Sequence, residues 1–285
     1  MKKLNVIGIS RGSQYSPNLM NSDAAIFNLV TRELQKKGWQ ITTCPEDLFE
    51  EKECHADVIY TMARDKRTIE RLLQLEEQGT LVINAAKGLE NCVRRPLTEL
   101  FIQHQIPYPE SFIWSTDQYF DKAFFPCWFK RGDSSAIVKE DVCFVESREQ
   151  ANRSLEQFKE RGIKTIVVNK HLEGDLVKFY GVRHVGFFDW VHSRPDTHSK
   201  FGLEQINGMP VGYDFDIESL KKWSDEAAKV LGITVYGGDC VISADGSFKF
   251  IDFNDWPSFS RCREEAGKAI AESICYLTEE HLRKR

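Results

Sequence analysis

The chain has 285 residues, of which 38 are basic and 43 acidic, giving a formal net charge of -5; 41% are hydrophobic and 12% aromatic. That is the composition of an ordinary folded protein with room for two or three compact units, and it excludes a disordered chain. The acidic balance argues against nucleic acid or an acidic membrane as partner, since both call for a basic face, but leaves room for a local phosphate site.

Residues 4–10 form a short apolar run rich in Val and Ile, as a buried strand requires. A helix is expected over 22–37, with Ala25, Leu29, Val30 and Leu34 on one face and Gly38 as its stop. Strands follow at 39–43 and 56–62, a helix at 65–78 closed by Gly79, and a strand at 80–84. Alternation of this kind predicts a parallel sheet covered on both faces. No G-x-G-x-x-G is present, so a dinucleotide fingerprint is absent. A loop and then a helix over 96–105 lead to Pro107 and Pro109, which end it.

From there the pattern changes. Strands are expected at 127–130 and 136–142, either side of Arg131-Gly132-Asp133-Ser134-Ser135. A helix at 148–161, strands at 165–169 and 177–188, and a helix at 216–231 come next. A hairpin over 235–243 and 247–253 and a closing helix over 263–285 complete the chain. The fold class expected is α/β, becoming α+β in the C-terminal part, with boundaries near residues 92 and 110. No internal repeat or low-complexity linker is found.

The eight cysteines are scattered without a C-x-x-C pair, which predicts reduced, mostly buried thiols rather than a disulfide framework or zinc site. Only six largely apolar residues precede Arg11, and no run approaches the ~18 of a membrane span. A cytoplasmic protein with no membrane or nucleic-acid partner is expected.

The hairpin carries the most information. Asp245-Gly246 is a two-residue turn signal, and that turn would set Asp239 opposite Asp252, with Asn254 on the same side. Facing carboxylates repel, and two carboxylates with an amide oxygen form a donor set that suits Mg²⁺; a solvated strand end is the plain alternative. Lys130 stands beside the Gly132 loop, whose backbone N–H groups and hydroxyls, Ser134 included, could lie over a phosphate, with the lysine as a point charge. A turn with no ligand is the alternative reading. The run from Asn169 through Lys170, Leu172, Glu173 and Asp175 to Lys178 leaves a strand, passes one Gly and enters another strand. It could offer backbone groups to adenine and an acid to ribose, or be a surface loop.

In this order the pieces resemble the ATP-grasp superfamily, in particular its glutamate ligase, glutathione synthetase and D-alanine ligase group. The resemblance covers about residues 84–260 and rests most on Asp239, Asp252, Asn254 and Pro257, although the second position is often Glu in the family. It implies an N-terminal αβ domain (1–92) followed by an ATP-grasp domain (93–285) of two subdomains: a nucleotide-clamping part (about 110–172) and a metal-binding part (173–285). It implies ATP with two Mg²⁺ ions, Mn²⁺ being a substitute, held by Asp239, Asp252 and Asn254. Lys130 and Lys178 would meet the phosphates under the Gly132 loop, with Lys170 to Leu172 as adenine hinge and Asp175 or Glu173 on the ribose. Arg94 or Arg95 would supply the cation that precedes the opening helix.

Most such relatives ligate a carboxylate to an amine, thiol or hydroxyl through an acylphosphate, which needs charge neutralisation and positioning more than a protein nucleophile. The expected substrate is a small molecule or peptide, and a homodimer is compatible with the sequence. Arg183 and Arg261 are candidates for gripping an anionic substrate, and the loop over 198–213 for choosing it. A small-molecule kinase of the inositol-phosphate-kinase kind is the alternative activity, and a nucleotide-binding module without turnover is the non-enzymatic one.

Overall fold

The structure is a computed structural model describing residues 4–16, 19–49, 55–193 and 206–284. The first sheet is parallel and contains β1 (Val6–Ser10), β2 (Ile41–Pro45), β3 (Val58–Thr61) and β4 (Leu81–Ile83), in the order β2-β1-β3-β4. β1, β3 and β4 are largely buried, whereas the edge strand β2 is mostly exposed, and α1 (Met20–Lys36), α2 (Glu46–Phe49), α3 (Lys66–Glu77) and α4 (Ala86–Asn91) connect or follow the strands. Asp65 caps α3 by accepting from the Arg67 and Thr68 amides. This is the expected αβ unit; α4 forms where a loop is expected, and α2 falls between the expected elements.

α5 (Arg94–Gln103) leads into an antiparallel sheet of β5 (Ser111–Ser115), β6 (Cys127–Arg131), β7 (Val142–Val145) and β8 (Thr165–Lys170), ordered β5-β8-β6-β7, with α6 (Arg148–Glu160) behind it. The strand expected over 136–142 does not form, and β5 was not foreseen. Buried Asp141 accepts the Ile137 and Val138 amides and pairs with Arg131 and Arg161, which winds this stretch into a 3-10 turn at Lys139–Asp141.

The third sheet, also antiparallel, contains β9 (Asp175–Val182), β10 (Phe187–His192), β11 (Val235–Ile242) and β12 (Phe248–Asp255), ordered β10-β9-β11-β12. The single strand expected over 177–188 is two, because His184 and Gly186 adopt φ of 73° and 69° and reverse the chain. α7 (Ile217–Leu231) and α8 (Arg263–Arg283) follow β10 and β12. No helix among the described residues is long and apolar enough to cross a membrane.

The first and third sheets are joined side by side. Buried Asn84, just after β4, donates to the Val235 carbonyl and accepts the Thr234 and Val235 amides, each at 2.8 Å. Ile26, Phe27 and Val30 of α1 share one core with Ile270 and Ile274 of α8. Gly88 of α4 packs so closely on Gly232 that a Cβ there would come within 2.5 Å of the Gly232 carbonyl oxygen.

Candidate active site

Asp239 on β11 faces Asp252 on β12, the expected pair, but the hairpin arrives there by another route. The strands close through a 2.8 Å bond from Ser243 N–H to the Ser247 carbonyl, so the loop has three residues, with Gly246 at φ 79°. The register near the turn is therefore one residue off the expected one. An extra residue on β12, Ile251, then bulges between Phe250 and Asp252 and restores it. Two offsets cancel. Asn254 lies on the same side and its Nδ2 donates to Asp252 Oδ2 at 3.1 Å, which leaves its Oδ1 as the outward acceptor.

Each carboxylate has a cation beside it. Lys178 on β9 pairs with Asp239 in the ladder, and its Nζ donates to Asp239 Oδ1 at 2.9 Å. Arg94, at the start of α5, stands 3.5 Å from Asp252 Oδ1. Lys130 reaches across from the second sheet and donates to the Ile251 carbonyl at 2.7 Å. Burial, reinforced by Arg94, pulls its pKa down to about 7 against the opposite pull of Asp252 and Asp239.

These groups line one cleft of about 560 Å³, within the range of small-ligand sites. Lys170 and Leu172 line it from the end of β8, as does Arg261 at 60% side-chain exposure. Beside them the Trp128 indole donates to His171 Nδ1 at 3.1 Å, so the ring proton of the neutral imidazole is on Nε2, and burial lowers the His171 pKa. Of the two candidate arginines, Arg94 is buried in the cleft wall, whereas Arg95 turns outward to Glu99 at 2.9 Å.

Several expected site residues are elsewhere. Asp175 and Glu173 do not line the cleft. Asp175 is buried and accepts the amides of Val211, Gly212 and Tyr213 at 2.6, 2.7 and 2.8 Å, so both its oxygens are engaged by backbone. Gly132 is held between the Arg95 and Thr165 backbones, and Ser134 bonds the Ser135 carbonyl; Ser135 and Ala136 provide that loop's contribution to the cleft. Arg183 also lies off the cleft, donating to the Ile233 carbonyl at 3.3 Å from the far side of the third sheet. Of the loop expected to choose the substrate, residues 198–205 lie outside the described residues, and Asn207 of the remainder lines the cleft.

The wall supplied by the first sheet was missed altogether. Arg11, Tyr15 and Ser16 follow β1, and Arg64 follows β3. The available signal was topological, since ligands of open parallel sheets gather beyond the C-terminal strand ends.

No family model matches the chain, and no curated protein matches it. Solved structures do. The D-alanine–D-alanine ligase of Bacillus anthracis complexed with ATP superposes with a TM-score of 0.71 at 15% identity, covering 97% of this chain and 99% of that one. A RimK domain ATP-grasp protein from Sphaerobacter thermophilus gives 0.67 at 14%, covering 95% and 99%. The chain has the ATP-grasp fold. The ATP-grasp ligase PsnB, complexed with a minimal precursor, is a further example, with a TM-score of 0.64 at 16% identity and coverage of 96% and 99%.

The site also suits the ligands of an ATP-grasp enzyme. Asp239, Asp252 and Asn254 are hard oxygen donors, too few to enclose an ion, as suits Mg²⁺, which keeps waters and phosphates. Among the described residues no three His, Cys, Asp or Glu side chains converge to hold a metal by themselves. Arg94 Nη1 is buried with no hydrogen-bond partner among the described residues, a donor open to a phosphate oxygen.

Proposed function

We propose that the protein is an ATP-dependent ligase that joins a carboxylate on a small molecule or peptide to an amine or related nucleophile through an acylphosphate. The observation that carries this reading is the row Lys178–Asp239–Asp252 across three neighbouring strands, faced by Lys130 and Arg94 in one cleft. In this reading residues 1–92 supply a substrate wall, 93–285 handle the nucleotide, and 110–172 clamp it.

Lys170 to Leu172 border the adenine, and Lys130, Lys178 and Arg94 meet the phosphates. Asp239, Asp252 and Asn254 would hold Mg²⁺, which when bound neutralises charge on the phosphates. A substrate carboxylate oxygen attacks the γ-phosphorus as its bond to the β-phosphate oxygen breaks. The nucleophile then attacks the acyl carbon, inorganic phosphate leaves, and the nucleophile loses its proton. Lys130 and Lys178 oppose the charge on the transferring group, and Arg261 is placed at the cleft to receive an anionic substrate. Ser135 and Ala136 on the Gly132 loop would keep water from the acylphosphate.

The test is product stoichiometry with hydroxylamine as nucleophile. A ligase converts a pool of acids to hydroxamates and releases about one phosphate per ADP, by the stoichiometry of the two-step route. ADP with a stable phosphorylated product and no free phosphate would replace the ligase by a kinase.

A further inference from the structure

The wall supplied by the first sheet has no assigned part in the phosphoryl and acyl transfers, yet it contains two half-buried arginines. Arg11 is fully engaged: Nε donates to the Met62 carbonyl at 3.2 Å, Nη1 to Asp23 at 3.1 Å and Nη2 to the Trp256 carbonyl at 3.0 Å. Arg64 is not. It lines the cleft at 14% side-chain exposure and its Nη2 pairs with Asp255 at 3.1 Å, but its Nε is buried without a hydrogen-bond partner among the described residues. A buried guanidinium N–H is rarely left unpaired, because it has been stripped of water with nothing in exchange.

The backbone beneath this arginine is fixed. Glu46, at 0% exposure, accepts N–H from Gly12, Arg64 and Asp65, the last two at 2.7 and 2.8 Å. The Tyr15 hydroxyl adds a 3.2 Å bond to Asp65. One carboxylate thus fastens together the loops that follow β1 and β3. Arg64 lines the cleft from a rigid base, and Asn254 of β12 and the following Ser258 line the same cleft.

We propose that Arg64 grips a second anionic group of the substrate, so that the acid activated in the cleft is at least dianionic, bearing either a second carboxylate or a phosphate. This rests on the ligase reading only for the fate of the reacting carboxylate. Glu46 is a positioning residue for the same subsite.

The test is direct binding to the full chain with Mg²⁺ and a non-hydrolysable ATP analogue. The probes are succinate, glutarate and adipate, the monocarboxylates butyrate, valerate and hexanoate, and 3-phosphonopropionate. At least one dianion is expected to bind more tightly than every monocarboxylate, by roughly ten- to a hundredfold, the yield of one charge-assisted hydrogen bond. The tighter of dicarboxylate and phosphonate identifies the second group. Arg64→Gln should abolish the preference while leaving the affinity for the ATP analogue within about twofold, since Arg64 is not assigned to the nucleotide. Monocarboxylates binding as tightly as all the dianions would overturn the proposal without any variant, as would a preference that survives Arg64→Gln. A dianion preference without hydroxamate formation would remove the ligase and leave the subsite standing.

Discussion

The Lys130 ammonium donates to the carbonyl of Ile251, the residue that bulges out of β12 to bring Asp239 opposite Asp252. The same bulge that aligns the carboxylates therefore also anchors the lysine from the second sheet.

Lys130 gives a pH dependence with a definite sign. Its pKa in the free protein is lowered to about 7, so the ammonium is partly neutral at neutral pH. Phosphate favours the charged form and raises that value, so nucleotide binding takes up a proton. ATP-analogue affinity should fall as pH rises from 7 to 9, by up to about tenfold per unit. Calorimetry in two buffers of different ionisation enthalpy measures the uptake. Lys130→Ala should remove it and weaken ATP far more than adenosine; equal losses for both would make Lys130 structural.

Asp252→Asn should reduce turnover by roughly a hundredfold or more while sparing the fold, because the change is nearly isosteric and removes one proposed metal-ligand charge. Asp239→Asn should do the same without raising the melting temperature. Repulsion between the facing carboxylates is already offset by Lys178 and Arg94, so neutralising Asp239 strands a cation. Steady-state rates over a magnesium titration, with thermal melts alongside, check both.

Asp175 distinguishes an anchor from a ribose ligand. Burial pushes its pKa up, but the three amides outweigh that and hold it below the usual carboxylate range. The stability this contributes is present above about pH 4 and is lost as pH falls through the lowered value. Asp175→Asn should cost about 2–3 kcal/mol in urea unfolding and speed hydrogen exchange over residues 211–213. The affinity ratio of ATP to 2′-deoxy-ATP should not change. A collapse of that ratio would return Asp175 to the ribose.

Arg183→Ala should leave turnover unaltered and cost about 1 kcal/mol of stability for its bond to Ile233. Arg261→Ala should raise the KM for the acid severalfold with little effect on the KM for ATP. Initial-rate kinetics on both variants decide whether one arginine, both or neither serves the substrate.

The alternating apolar runs and glycine stops made the αβ unit legible, because the burial of β1, β3 and β4 leaves little ambiguity in the pattern. The Asp239, Asp252 and Asn254 set was legible from strand register, which is simple arithmetic once a turn is found, whereas Lys130 was suggested by the loop beside it and Lys178 by the family resemblance alone. That arithmetic reached the right pair despite a three-residue turn, only because Ile251 compensated for it. Asp175 and Arg183 were misplaced for a different reason. Sequence marks them as charged residues near a strand, but what a side chain bonds depends on which chain segment folds over it. The same limit hid Glu46 and Arg64, whose meaning lies in loops from separate parts of the chain that the parallel sheet brings together at one end.

Arg11 spans from β1 to the Trp256 carbonyl beyond β12, and Asn84 links β4 to β11. The substrate wall and the proposed metal ligands are thus parts of a single anvil, and their spacing is built in before any ligand arrives. Any swing of the second sheet would leave that spacing untouched and would change what Lys130, Ser135 and Ala136 contribute to the cleft. In the proposed reading, the distance over which an acid would stretch between Arg64 and the Asp239–Asp252 pair is a fixed gauge, and chain length would become a quantity the protein can measure.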